Sequence, residues 1–195
     1  EFAVEHGAKN VVFLVPQAPF AQLYIDVITN VVGKAGGKVM GIIYEDKKAS
    51  YRTEVDRALK ANPDAILMGG YVPDSAVILK DLFRAGYDKP RIGLSFGINP
   101  KTLEAVPNEV SEGVYSLVPT ASVNSQAYKR LVSKMKVEAL DAYSCQVFDH
   151  INLVALALTR ASGDATGTAI RDNVKQVSHD AQGKVVDSAV EGMKL

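Results

Sequence analysis

Residues that could attack or bind a small molecule follow an apolar segment near the middle of this chain. Gly93-Leu94-Ser95-Phe96-Gly97 matches the G-x-S-x-G pattern, in which a sharp turn after a strand presents a nucleophilic serine. Aspartate and histidine pairs that could complete a hydrolase triad follow in the usual order, namely Asp149 with His179 or Asp141 with His150. The pattern needs a helix directly after the serine, whereas the next helix is expected to begin at Pro100. We therefore interpret the match as accidental, and we predict a protein that is not an enzyme and has no catalytic residues.

Metal and phosphate chemistry have little support in the sequence. His6, His150 and His179 lie far apart, and none shares a helix face with a second histidine or a carboxylate at i, i+4 spacing. The single Cys145 excludes an internal disulfide and lacks the partners of a thiolate metal site. The glycine pairs lack both the dinucleotide-binding and the P-loop spacing. We expect no metal and no cofactor.

Charge and hydropathy narrow the class of partner. The chain has 195 residues, of which 22 are basic and 22 are acidic, and no basic block stands out. A nucleic acid or anionic membrane partner is therefore not expected, and a small neutral or zwitterionic ligand fits better. The longest apolar stretch, 147–158, is interrupted by polar residues and is too short to span a membrane. Residues 1–7 have no signal-like region, so we expect the sequence to begin inside a longer protein.

Strand-like and helix-like segments alternate through the first part of the chain. Short apolar runs are each followed by apolar residues at helical spacing, and Gly or Pro ends most of these helical segments. Such alternation predicts an α/β domain with a doubly wound parallel sheet over residues 1–119. From residue 120 onward only helices are expected, and these cannot extend the sheet. The predicted strands are 10–15, 38–44, 65–68, 91–94 and 113–118, and the later helices are 126–135, 142–161 and 168–177.

The loops that follow the first, third and fourth strands are expected to share one edge of the sheet. In open parallel sheets a ligand lies beyond the carboxyl ends of the strands, so these loops are the candidate site. They carry aromatic walls and a few hydrogen-bonding groups, as a small-molecule site requires. The side chains that these loops offer to a ligand are those of Gln17, Phe20, Tyr71, Ser95, Phe96 and Asn99.

Two of the aromatic candidates have a purely structural alternative. Phe20 could be the first buried residue of its helix, because it shares helical spacing with Tyr24 and Val27. Tyr71 stands between glycines and a proline and joins no helical or strand pattern, which favours a ligand contact over burial.

The segment Asp64 to Gly97, DAILMGGYVPDSAVILKDLFRAGYDKPRIGLSFG, resembles the second lobe of periplasmic branched-chain amino acid binding proteins of ABC transporters. The glycine-glycine-tyrosine-x-proline loop of that family corresponds to residues 69–73, and the segments 51–58 and 142–161 resemble further family blocks. The resemblance implies a type I periplasmic binding protein lobe at 1–119. Residues 120–195 would be a hinge crossing and helices returning to a first lobe.

The resemblance also implies a function and a set of site residues. The protein would be periplasmic, would capture an amino acid-like or carboxylate ligand by closure of two lobes, and would deliver it to a membrane permease. Phe20 falls at one aromatic position of the family, Tyr71 or Val72 at another, and Ser95 near an acidic position that meets the ligand's ammonium group. We therefore predict six ligand-binding residues, namely Gln17, Phe20, Tyr71, Val72, Ser95 and Phe96.

Ser95 would leave that ammonium group without a charge partner, and burying an unpaired ammonium is costly. An aromatic or aliphatic carboxylate, or an amide, would therefore suit the site better than a branched-chain amino acid. Two other functions remain open from the sequence, namely a ligand-sensing domain of a receptor or regulator and a hydrolase that uses Ser95.

Overall fold

The apolar runs form a single parallel sheet with helices on both faces. The structure is a computed structural model that describes residues 1–163, 165–179 and 181–195. The sheet has five strands in the order β2-β1-β3-β4-β5, and every strand pair is parallel. This confirms the predicted α/β class with a doubly wound parallel sheet. The strands are β1 (Asn10–Pro16), β2 (Lys38–Tyr44), β3 (Ala65–Met68), β4 (Arg91–Leu94) and β5 (Val114–Leu117).

The helices differ from prediction mainly at their ends and in short additional turns. Helix α2 begins at Ala21 with Phe20 as its N-cap, and α4 begins at Val72, one residue before Pro73. The remaining helices of the sheet region are α1 (Phe2–Glu5), α3 (Arg52–Lys60), α5 (Pro100–Glu104) and α6 (Asn108–Ser111), while α2 ends at Lys34 and α4 at Arg84. The later helices are α7 (Gln126–Met135), α8 (Ala142–Ala161), α9 (Gly167–Ser178) and α10 (Ala189–Gly192).

The chain divides into two compact units, unit 1 (Glu1–Val118) and unit 2 (Pro119–Leu195). In unit 1, residues of the central strand β1 alternate between two apolar layers, as strand geometry requires. Val12 and Leu14 join the larger layer beneath α3 and α4, whereas Phe13 and Val15 pack beneath α2. Because both layers are buried, β1 is apolar and buried from Val11 to Pro16 rather than alternating with polar residues.

Unit 2 contains the helices α7 to α10 and no strand among its described residues. Helices α8 and α9 pack side by side, and α10 packs on α8. The side chain of Asn152 on α8 joins two of these helices, because its Oδ1 accepts a hydrogen bond of 2.7 Å from the backbone nitrogen of Ala189. Arg130 of α7 forms an ion pair with Asp187 just before α10.

Candidate functional site

The three loops chosen from the sequence leave the sheet at its carboxyl edge. The strand order reverses next to β1, since β2 lies on one side of it and β3 on the other. Chain connections diverge at such a point and leave a crevice, where doubly wound proteins bind their ligands. The loop after β1 and the loop after β3 border this crevice, and the loop after β4 lies beside them.

Tyr71 and Phe96, from two different loops, form an aromatic pair at this edge. Their ring centroids lie 5.3 Å apart, with the planes tilted by 43°. Tyr71 is 55% exposed, and Phe96 is partly buried. The pair offers a rigid apolar wall with a phenolic hydroxyl at one side, which suits a ligand that has an apolar body and a polar group.

The position of Tyr71 follows from the way in which α4 begins. Tyr71 is the N-cap of this helix, with an extended backbone (φ −91°, ψ 173°), and its carbonyl accepts a hydrogen bond from the Ser75 nitrogen at 2.9 Å. Pro73 in the first turn has a fixed φ that favours the helix start. Val72 is the first helical residue and is half-buried, so Tyr71 is the more accessible of the two candidates for the aromatic position.

The loop after β4 is held by hydrogen bonds at both ends. The Ser95 nitrogen donates to the Leu117 carbonyl at 2.9 Å, and the Ser95 carbonyl accepts from Asn99 Nδ2 at 3.1 Å. Asn99 also caps α5 by accepting from the Lys101 nitrogen at 3.0 Å. Helix α5 begins at Pro100, as predicted, so the helix that a nucleophile elbow needs directly after its serine is not present at Ser95.

The loop after β1 places its two candidates differently. Gln17 is exposed, and its backbone nitrogen donates to the Tyr44 carbonyl at 2.7 Å. Phe20 is half-buried, its ring lies 5.2 Å from that of Tyr24, and it packs on the apolar layer beneath α2. The structure therefore brings Tyr71 and Phe96 together, whereas the ring contact of Phe20 is with its own helix.

Sequence reasoning missed a residue beneath the loop after β3, namely Tyr44 at the end of β2. Tyr44 is 2% exposed, and a Cβ built on Gly70 would lie 2.0 Å from its hydroxyl oxygen. Its ring lies 4.8 Å from that of Tyr51 in an edge-on arrangement. The rule that selected the other loops also applies to the end of β2, and it would have found Tyr44 if that strand end had been included.

Asp74, a buried carboxylate three residues after Tyr71, is hydrogen-bonded within the protein. Asp74 is 4% exposed, and its Oδ1 accepts hydrogen bonds from the Tyr51 hydroxyl at 2.7 Å and from the Lys47 nitrogen at 2.8 Å. Burial, followed by the hydrogen bond to Asp74, raises the pKa of Tyr51 above its usual range, so this hydroxyl remains a neutral donor. None of the six ligand-binding candidates in the three loops carries a charge: Gln17, Phe20, Tyr71, Val72, Ser95 and Phe96.

Other site types find no support in the part of the chain that the structure describes. No group of three or more histidine, cysteine, aspartate or glutamate side chains there could hold a metal ion. The described helices also include none that is both long and apolar enough to cross a membrane.

A cavity of about 360 Å³ lies elsewhere in unit 1, between α1, α2 and the sheet. Its lining is apolar and includes Val27, Val31, Leu67 and Ile92, but none of the six candidates. A ligand site usually combines apolar walls with converging polar groups. The carboxyl edge with Tyr71 meets that description better than this cavity.

Comparison with known proteins identifies one sequence family. A family model described as periplasmic binding protein matches residues 1–189. No curated protein sequence matches the chain.

Solved structures with the same fold share little sequence with the chain. A leucine-binding protein from Thermotoga maritima has a TM-score of 0.71 at 22% identity, over 90% of this chain and 52% of its own. A substrate-binding periplasmic protein from Ralstonia solanacearum has a TM-score of 0.60 at 18% identity, over 93% and 54%. A fatty acid ABC transporter substrate-binding protein from Thermomonospora curvata has a TM-score of 0.63 at 14% identity, over 93% and 50%. The chain therefore spans about half the length of these proteins.

Proposed function

The chain belongs to the periplasmic binding protein family, which confirms the resemblance drawn from its sequence, and we propose that it binds a small molecule in the periplasm for an ABC transporter. The ligand would lie against the carboxyl edge of the sheet in unit 1. It would contact Tyr71 and Phe96 first, with Gln17, Phe20, Val72 and Ser95 around them. A membrane permease of the transporter would receive the ligand.

The exposed pair of Tyr71 and Phe96 is the observation that carries this proposal. Two aromatic rings from separate loops meet beside the point where the strand order reverses. Tyr71 keeps 55% of its surface exposed although Asp74, Ser75 and Ala76 in the first turns of α4 are buried. Such exposure of an aromatic residue on an otherwise well-packed loop supports a binding role.

Capture of the ligand would require a second lobe that closes over this edge, as a hinge motion does in two-lobed binding proteins. An uncovered apolar stripe on α8 supports the presence of a further packing partner for unit 2. Val147, Ile151 and Val154 follow each other at helical spacing and are 37% to 65% exposed. We propose that unit 1 is the ligand-binding second lobe and that unit 2 packs against the first.

The proposed ligand has no free amine. The candidates carry no charge, and Asp74 already accepts two hydrogen bonds from the protein. An ammonium group at this edge would lose its hydration without gaining a carboxylate partner. An amide has no charge to bury, and an aromatic or aliphatic acid has no ammonium group, although its carboxylate would need a partner from outside the six candidates. The fold itself accommodates both types, since its structural neighbours include a leucine-binding and a fatty acid transporter protein.

A thermal-shift experiment with four probes tests the proposal, because a ligand that binds only the folded state raises the melting temperature. We expect benzoate, benzamide or hexanoate to raise it and L-leucine to have little effect. Tyr71→Ala should abolish the shift, since it removes half of the aromatic wall. Tyr115→Ala is the matched control, because Tyr115 is 40% exposed but lies outside the candidate loops.

Three results would contradict the proposal. A shift with L-leucine alone would refute the amine-free ligand while leaving the binding role intact. No shift with any probe, or an equal shift in wild type and Tyr71→Ala, would remove the support for a site at this edge.

A further inference from the structure

We propose that Tyr44, Gly70 and Gly97 are positioning residues, which hold the Tyr71–Phe96 pair in place through two contacts that any side chain at either glycine would break. The proposal rests on the proposed function in one respect, namely that this pair contacts the ligand. Tyr44 is the last residue of β2, whereas Gly70 and Gly97 lie in the loops after β3 and β4, so the three residues connect three chain segments at the carboxyl edge.

The first contact joins the loops after β3 and β4 backbone to backbone. A Cβ on Gly97 would lie 2.0 Å from the Gly70 carbonyl oxygen and 2.8 Å from Ser75 Oγ. Neither neighbour can yield easily. The Gly70 carbonyl is part of the main chain, and Ser75 is fully buried on α4. Gly97 is fixed from its other side as well, because its carbonyl accepts a hydrogen bond of 2.7 Å from the buried Thr102 hydroxyl.

The second contact places Gly70 directly on the hydroxyl of Tyr44. A Cβ on Gly70 would lie 2.0 Å from that oxygen but 3.3 Å from Tyr44 Cζ, so the hydroxyl alone occupies the space. The ring has little room to move away, because it packs on Tyr51 and is 2% exposed. This hydroxyl has no hydrogen-bond partner within the described residues. A buried hydroxyl without a hydrogen-bond partner costs free energy. The interaction that the structure shows for this hydroxyl is packing against Gly70.

The two contacts act on the aromatic pair because of where the glycines stand in the chain. Tyr71 directly follows Gly70, and Phe96 directly precedes Gly97. Any displacement of Gly70 away from Tyr44 or Gly97 therefore moves one ring relative to the other. Packed contacts of this kind respond to an added methyl group by a discrete shift, since interiors contain little free volume.

A fluorescence experiment can follow this displacement without any ligand. The chain has no tryptophan, so Phe96→Trp introduces a single indole beside Tyr71. The reporter is measured in four backgrounds, namely wild type, Gly70→Ala, Tyr44→Phe, and the double variant Tyr44→Phe with Gly70→Ala. We expect a red shift of indole emission and stronger acrylamide quenching in Gly70→Ala, because the loops separate and the indole becomes more exposed.

The double variant is the decisive measurement. Removal of the hydroxyl leaves Tyr44 Cζ, at 3.3 Å, as the atom nearest to the new methyl group, which is a tight contact that the ring relieves by a shift of only a few tenths of an ångström. We therefore expect the emission and quenching of the double variant to return to those of wild type. Gly33→Ala is the matched control, because a Cβ on this helical glycine would meet nothing within 4 Å. It should leave the reporter unchanged.

Probe binding separates failure of this proposal from failure of the proposed function. In the chain without the reporter, we expect Gly70→Ala to weaken binding of benzoate or benzamide by on the order of tenfold and the double variant to restore it. An unchanged reporter in Gly70→Ala, or a double variant that stays red-shifted, overturns the positioning role. If the reporter is rescued but wild type binds no probe, positioning stands and the proposed ligand site fails.

Discussion

Units 1 and 2 bury their apolar residues to very different degrees. Unit 1 surrounds its sheet with large apolar side chains that are fully buried, including Leu14, Ile66 and Leu79. Among the described residues of unit 2, the buried apolar residues are only Cys145, Ala157 and Ala189, and α7 and α9 contain none. Regular secondary structure is thus present in both units, whereas an extensive apolar core is present in one.

The difference follows from how each type of element covers its apolar surface. A parallel sheet with helices on both faces encloses every strand, and the residues that connect the strands supply the cover. A set of four helices covers only the sides that face each other, and the stripe on α8 is left exposed. Unit 1 is therefore expected to be stable by itself, whereas unit 2 is expected to gain stability from a packing partner.

Truncation in the core of unit 1 should have the largest effect. Leu79 of α4 is fully buried, so Leu79→Ala is expected to lower the free energy of unfolding by about 3 kcal/mol through lost burial and the cavity left behind. Urea denaturation followed by circular dichroism measures this change. Leu103→Ala is the matched control, because Leu103 is 47% exposed and should cost much less. Equal losses in both variants would contradict the view that the core of unit 1 carries its stability.

Loss of the hydrogen bond between α8 and α10 in unit 2 should have a smaller effect on the free energy of unfolding. Asn152→Ala removes the acceptor of the Ala189 nitrogen and is expected to cost about 1 kcal/mol. Hydrogen exchange should show faster exchange at Ala189 in this variant. Asn173→Ala is the control. Asn152 and Asn173 each donate from Nδ2 to the carbonyl four residues earlier in their own helix, that of Phe148 or Ala169. Unchanged protection of Ala189 in Asn152→Ala would show that α10 is held by other contacts.

The free energy of unfolding is expected to depend on pH through Asp64, which lies next to the beginning of β1. Asp64 accepts hydrogen bonds from the backbone nitrogens of Asn10 at 2.8 Å and Lys9 at 3.0 Å, which lower its pKa. Because the folded pKa lies below the unfolded one, Asp64 stabilises the fold above the unfolded value and loses this contribution as pH falls below about 4. Asp64→Asn should therefore lower the free energy of unfolding at pH 7. In acid, the free energies of unfolding of the variant and of wild type should lie closer together. A difference that is constant from pH 7 to pH 3 would contradict this assignment.

A polar substitution on the exposed stripe of α8 should have the smallest effect. Ile151 is 65% exposed, so Ile151→Ser is expected to change the stability of this chain by less than about 0.5 kcal/mol. Ile66→Ser, in the core of unit 1, serves as the contrast, because it places a hydroxyl at a fully buried position. A large loss for Ile151→Ser in the 195-residue chain would mean that the stripe is already covered and would weaken the proposed packing of unit 2 on a first lobe.

The strands and longer helices could be predicted from sequence because their signal is local. Apolar runs in β1 to β4 and helical spacing in α4 and α8 each lie within a short stretch of chain. The contacts of Gly70 with Tyr44 and Gly97 were not predictable in this way. They join residues 26 and 27 positions apart, and nothing in a local pattern distinguishes a glycine that meets a neighbouring loop from one that meets solvent. Short turns such as α1 and α6, of four residues each, are likewise too brief to establish a helical period.

The outer strands of the sheet have a consequence for how the protein behaves at high concentration. An outer strand presents backbone groups to which a strand of another molecule can add, and long flat edges promote aggregation. Outer strand β5 has four residues, and Pro119, two positions beyond its end, has no N–H to extend a ladder. The opposite outer strand β2 has seven residues but begins at Lys38 and is followed by Glu45 and Asp46, so charge flanks it at both ends. Both edges thus have features that discourage an incoming strand and so work against aggregation through the sheet.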